Sequence, residues 1–138
     1  MKDSLKKDIT SEMKGRFVPA PILAIKSGEK MFYATLEDNM SAKAFIEKAS
    51  GIDVEMHDFG GFEKAGRLPW KLPADDKQIT ASPGDVILYQ GDKIAICYVE
   101  NTRELTRLAK IGNTTKDELL NALGDGDANV KFCVEWSE

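Results

Sequence analysis

Short apolar runs that alternate with polar residues, and are broken by Gly, Pro, Asn and Asp, restrict this chain to a fold built mainly from strands. In residues 52–58, Ile52, Val54 and Met56 point one way, and Asp53, Glu55 and His57 the other. That pattern is a half-buried strand with water or a polar cavity on its second face. Val130, Phe132, Val134 and Trp136 alternate in the same way with Lys131, Cys133 and Glu135, and the first set is expected to face inward. Residues 22–26 and 30–37 flank the short turn Ser27-Gly28-Glu29 and are expected to pair as a hairpin. Residues 86–89 and 93–99 form a second hairpin across Gln90-Gly91-Asp92. The run Ile94-Ala95-Ile96-Cys97-Tyr98 is apolar on both faces, which marks a central strand.

Two short helices interrupt the strands. Ser41 reads as the N-cap of a helix over residues 42–49, with Ala42, Phe45, Ile46 and Ala49 inward and Ser50-Gly51 as the stop. Thr115 and Glu118 have capping-box spacing; the helix behind them turns Leu119, Leu120 and Leu123 inward and ends at Gly124. Residues 59–85 are loop-rich, and a loop that long in a compact domain is functional or structured by its own packing. The sum is six or seven strands and two helices, mainly β, and a closed barrel is expected because closure removes exposed edges. At 138 residues the chain has the size of one domain. Leu5, Ile9 and Met13 recur every four residues in an otherwise polar start, so residues 1–20 are expected to form a tail or a short docked helix, with residues 21–138 as the barrel domain.

Charge and apolar pattern exclude several classes. With 19 Lys plus Arg against 23 Asp plus Glu, the formal charge is −4, and no long basic run exists to neutralise phosphates, so no nucleic-acid partner is expected. No window of 18 apolar residues exists, and the polar start lacks the apolar stretch of a signal peptide; no membrane partner and a cytoplasmic location are the expectations. Cys97 and Cys133 lie far apart in strand-like segments without a CxxC spacing or a nearby His, which reads as two buried thiols, with a disulfide as the alternative, and as no metal site. No P-loop, Rossmann, GxSxG or HExxH fingerprint occurs, and no cofactor is expected. Asp125, Asp127 and Asn129 alternate in a Gly-containing turn but lack the closing glutamate of an EF-hand, so a plain turn is the reading.

Four stretches occur in a telling order. They are Ala34-Thr35-Leu36-Glu37-Asp38-Asn39 with Ala42-Lys43-Ala44-Phe45, and Asp58-Phe59-Gly60-Gly61-Phe62-Glu63-Lys64 with Leu68-Pro69 and Leu72-Pro73. Pro83-Gly84-Asp85-Val86 with Leu88-Tyr89 follows, then Thr106-Arg107-Leu108 with Lys110-Ile111-Gly112. From about Ile22 to Trp136 the chain resembles the bacterial cyclophilin-like family, small proteins of largely unassigned function. The resemblance implies a cyclophilin-type β-barrel of about eight strands with two helices. The Phe-His-Arg, Gln-Gly-Gly-Asp and Ser-Gln-Phe-Phe stretches that true cyclophilins share are absent, and the single histidine, His57, is followed by Asp58. The cyclophilin isomerase site therefore has no residue-by-residue counterpart here, and fold alone does not carry function over.

The candidate site is built from what remains. Asp58, Phe59, Phe62, Glu63 and Lys64, with Tyr89 and Thr106, are the candidate binding residues, and Arg107 is the candidate catalytic one. An arginine could assist prolyl isomerisation by hydrogen-bonding the twisting amide nitrogen from a fixed, permanently charged fork. The competing reading pairs Arg107 with Asp58, Glu63 or Asp85 to fix a loop. The segment from Phe59 to Trp70 reads either as a rim over a ligand pocket or as a plug whose aromatics fill the barrel end. His57 could serve as an acid or base but has no evident nucleophile partner, and Asp58 with Glu63 could act as paired carboxylates. The expectation is a binding module that holds a peptide segment or small molecule at the barrel rim. The alternative is a peptidyl-prolyl isomerase with a non-standard site, and a lesser one is a small-molecule enzyme using Asp58, Glu63 and Arg107.

Overall fold

The structure, a computed structural model, describes residues 20–124 and 126–137. The elements are β1 (Ala20–Ser27), β2 (Lys30–Leu36), α1 (Met40–Lys48), β3 (Ser50–Phe59), β4 (Glu63–Arg67), β5 (Lys77–Ala81), β6 (Asp85–Tyr89), β7 (Lys93–Cys97), β8 (Asn101–Ile111), α2 (Lys116–Leu123) and β9 (Ala128–Ser137). Eight strands close into a ring in the order β2-β1-β9-β3-β4-β7-β6-β8, sealed by the β2–β8 pairing, and β5 hangs from β8. Every pairing is antiparallel. The expected closed, mainly-β barrel with two helices is the observed fold. The proposed 1–20 tail lies outside the described residues but for Ala20, which opens β1.

Alternation fills the barrel. Leu23 and Ile25 of β1, Val54 and Met56 of β3, Val86 and Leu88 of β6, Ile94 and Ile96 of β7, and Val130 and Phe132 of β9 share one buried cluster. Both helices feed it: α1 contributes Ala42 and Phe45, and α2 contributes Leu119 and Leu123. Phe45 meets Phe132 and Trp70 edge to face, at 6.4 and 6.3 Å between ring centres. The two Leu-Pro steps are anchors as well. Leu68 and Leu72 are buried, and their amides donate to the carbonyls of Asp92 and Gly91, at 2.7 and 2.8 Å. The 59–70 segment thus divides: Leu68 and Trp70 pack on the core, while Phe59 and Phe62 stay exposed.

A second, smaller cluster lies on the other face of the same strands. Ala65 of β4, Ala95 and Cys97 of β7 and Ile87 of β6 pack with Ala81 of β5 and Leu105 of β8. This cluster is why β6 and β7 are buried on both faces. β8 belongs to both layers, pairing with β5 through residues 101–105 and with β6 and β2 farther on.

Local details both bear out and revise the expectations. The cap of α1 is Asn39, whose Oδ1 accepts from the Ala42 amide at 2.8 Å, so the helix starts before Ser41; the Ser41 hydroxyl instead donates to the Pro73 carbonyl. The Thr115–Glu118 capping box of α2 is present in both directions. Trp136 keeps the inward parity of β9 but pairs with Pro21 near the strand end, beyond the filled interior, and is exposed. The 59–85 stretch holds β4 and β5, and β8 is a strand that the pattern did not announce. Both cysteines are free, Cys97 buried as expected and Cys133 only half-buried.

Candidate functional site

Antiparallel register sorts the outer-face side chains into rows. His57 pairs with Ala65, Ala65 with Ala95, and Ala95 with Ile87. In the next row Arg67 pairs with Lys93 and Lys93 with Tyr89. On the other flank Phe59 pairs with Glu63 and Glu63 with Cys97. Small residues in the middle row leave a trough between larger neighbours. The trough is a groove of about 520 Å³, with Ala65 and Gly66 as floor, Phe59, His57 and Glu55 on the β3 side, and Tyr89, Lys93 and Arg67 opposite. Gly66 is required there: a Cβ would stand 2.5 Å from the Glu55 carbonyl oxygen and 2.6 Å from Val54 Cγ1. A second groove of about 350 Å³ runs from Phe59 and Tyr89 towards Phe62, Asn101 and Arg103.

Charges around the grooves are unequally satisfied. Glu63 is buried and forms an ion pair with Arg103, whose guanidinium also lies 5.6 Å from the centre of the Tyr89 ring. Burial, then the Glu63 charge, holds the Tyr89 hydroxyl above its ordinary range, against the pull of Arg103. Burial pushes the Cys97 thiol up to about 12, with Glu63 adding to the effect. His57 Nδ1 lies 2.8 Å from Asp127 Oδ1, and that hydrogen bond is the main reason its pKa is raised; the Asp127 and Glu55 charges add to it, and burial and Lys64 oppose it. Asp92 faces two cations, 4.0 Å from Arg67 Nε and 3.6 Å from Lys93 Nζ.

The eight candidate residues separate into two groups and two single positions. Phe59, Phe62, Glu63 and Tyr89 come together around the second groove. Asp58 lies at the adjoining turn, where its Oδ2 accepts from the Gly61 amide at 3.3 Å and its charge, after burial, helps keep the Tyr98 hydroxyl protonated. Lys64 has the opposite parity to Glu63; it is fully buried and donates to the Gly126 carbonyl. Thr106 and Arg107 sit on β8 beside a separate groove of about 320 Å³ with Asn39, Met40 and Asp75. The Thr106 hydroxyl donates to Asp76 Oδ1 at 2.7 Å and accepts from the Asp75 amide at 3.2 Å. Arg107 donates from Nε to Asp85 Oδ2 at 3.1 Å and from Nη2 to the Thr80 carbonyl at 3.2 Å. Of its three expected partners, Asp85 is the one it meets, and Glu63 is engaged by Arg103 instead.

Nothing in the local sequence pattern singles out Lys93 or Arg103 for this surface. Lys93 becomes visible only once the β4–β7 register is known, and Arg103 sits in the strand whose pattern is broken. Among the described residues no group of three or more His, Cys, Asp or Glu could hold a metal ion, and no helix is long and apolar enough to cross a membrane.

No curated protein and no solved structure shows significant similarity to the chain. The family model of the cyclophilin-like family matches residues 25–135, which takes in all of the ring strands in whole or in part and both helices. With that match spanning most of its length and a closed eight-strand ring beneath it, the chain belongs to the cyclophilin-like family.

Proposed function

We propose that the protein is a binding module that seats a peptide segment or a small molecule on the outer face of β3, β4, β7 and β6. The observation that carries this reading is the pair of half-exposed rings on two adjoining grooves that share Phe59 and Tyr89: Phe59, 51% exposed, lines the groove of about 520 Å³, and Phe62, 55% exposed, lines the one of about 350 Å³. Ligand sites are commonly concave, of several hundred Å³, with aromatic walls and a few polar groups that fix orientation. Neighbouring apolar rings left in water are the kind of surface that a partner covers. The engagement of Arg107 by buried Asp85 and the Thr80 carbonyl supports binding over isomerisation at that residue, since its guanidinium is held in place by a structural ion pair.

The test is an NMR exchange experiment with a panel of Xaa-Pro peptides. The expected result is shifts at Phe59, Phe62, Ala65 and Tyr89 with unchanged cis–trans exchange. Accelerated exchange that disappears in Arg107→Ala would replace this reading with an isomerase.

A further inference from the structure

We propose that the larger groove takes a small organic monoanion, its carboxylate held between Arg67 and Lys93 and its flat apolar body lying on Ala65 and Gly66 between Phe59 and Tyr89. This rests on the reading of that groove as the ligand site and adds the chemistry of the ligand.

The register supplies the argument. Arg67 and Lys93 are direct cross-strand partners on one face. Like charges placed opposite each other across antiparallel strands disfavour the sheet. Here they share one carboxylate, Asp92, whose side chain is only 13% exposed. At 4.0 Å from Asp92, the Arg67 Nε is beyond hydrogen-bond distance. Among the described residues the Arg67 guanidinium donates no hydrogen bond, and 69% of its side chain is open to solvent. A planar fork with unspent donors, a neighbouring ammonium and one shared counter-charge form a receptor for a carboxylate.

The rest of the lining restricts the ligand further. Ala65 and Gly66 leave the floor shallow and free of large side chains, which suits a flat body. Phe59 and Tyr89 stand on either side as apolar walls. Glu55 and the Asp127 that holds His57 bring negative charge to the β3 side. A second anionic group on the ligand would meet that charge, so a monoanion fits and a linear dianion does not.

The test is titration of the whole chain, followed by NMR, with benzoate, benzyl alcohol, benzylamine and terephthalate, alongside the Xaa-Pro peptides. Benzoate is expected to shift Ala65, Gly66 and Tyr89, to bind more tightly than the other three, and to weaken as salt is raised. Arg67→Gln is expected to weaken benzoate by roughly tenfold, as loss of a charge-assisted pair would, and Arg67→Lys to recover part of that loss. Equal binding of benzoate, alcohol and amine, or an unchanged benzoate affinity in Arg67→Gln, overturns the anion assignment even if peptides still shift the groove. Silence of every groove residue towards all probes and peptides overturns the ligand-site reading together with it.

Discussion

Arg107 Nε donates to Oδ2 of Asp85 at 3.1 Å, and Asp85 is wholly buried. The same carboxylate accepts from Lys110 Nζ at 2.9 Å through Oδ1, and Oδ2 also accepts from the Ser82 amide at 2.9 Å. One buried anion thus ties the β5–β6 connection to two positions of β8. The two cations are partly in water, while the anion has no solvent to fall back on. Removal of the anion and removal of one cation should therefore be unequal.

Asp85→Ala should cost about 3–5 kcal/mol, the range for breaking a buried charge pair from one side. Arg107→Ala leaves Asp85 with Lys110 and the Ser82 amide and should cost less, about 1.5–3 kcal/mol, the worth of a charged hydrogen bond. Urea unfolding of both variants checks the order. An Arg107→Ala variant as stable as the parent would show that the pair contributes nothing to the fold and would return Arg107 to a ligand-facing role.

Gly66→Ala places a methyl group 2.5 Å from the Glu55 carbonyl oxygen, a contact no side-chain rotation relieves. Forced overpacking of this kind should lower stability by about 1–3 kcal/mol. Because Gly66 also floors the groove, the amide shifts of Glu55, Ala65 and Arg67 should move with it. Unchanged stability would mean that β3 can retreat from β4 at no cost.

Protonation of His57 is favoured in the fold, chiefly by its hydrogen bond to Asp127, so its folded pKa lies above the unfolded value near 6.5. A raised pKa contributes stability that is fully present below the unfolded value and is lost as pH rises through the folded value. Asp127→Asn should therefore narrow the stability difference between pH 6 and pH 9, in comparison with the parent, under denaturant titration at each pH. Glu55 adds to the stabilisation and Lys64 opposes it, so Glu55→Gln should act in the same direction as Asp127→Asn, but less. Parallel profiles for parent and variant would show that the pair does not couple to folding.

The two thiols should part company in labelling. Cys97 is buried with its pKa pushed up to about 12, so little thiolate exists near neutral pH. Cys133 is half-buried on β9. A thiol reagent at neutral pH should label Cys133 alone, and both residues only after unfolding. Rapid labelling of Cys97 in the folded protein would show that the cluster beneath β5 opens.

What could be read from the residues alone follows the range of the interactions involved. The Thr115–Glu118 box was legible because cap and responder are three residues apart and need no third party. Asn39 was not, because it takes the cap of α1 while its Nδ2 donates to the Arg107 carbonyl at 2.8 Å, a partner 68 positions away. β3 and β9 carried their alternation openly. β8 did not, because the register against β6 shifts between Val86 and Ile87, and Leu105, Leu108 and Ile111 then recur at intervals of three rather than two. β4 hid for a different reason: its outward Glu63 and inward Lys64 are both charged yet buried, each held by a tertiary partner. The aromatic part of the candidate site was legible for its composition. Arg67 stands in the segment whose composition fits a rim or a plug equally, and its pairing with Lys93 exists only once strands distant in sequence are in register.

The position of β9 has a consequence for how the chain comes to be folded. It lies between β1 and β3, so the first strand of the ring waits for the last. As the polypeptide leaves the ribosome, the β1–β2 and β3–β4 hairpins can be joined through β8, β6 and β7, yet β1 and β3 have no strand between them until residues 128–137 arrive. Until then each hairpin carries a strand edge that no partner covers, a state prone to pairing with other chains. Closure of the ring therefore waits for residues 128–137, and a chain truncated before Ala128 would leave the other seven ring strands as an open sheet with β1 and β3 as its bare edges.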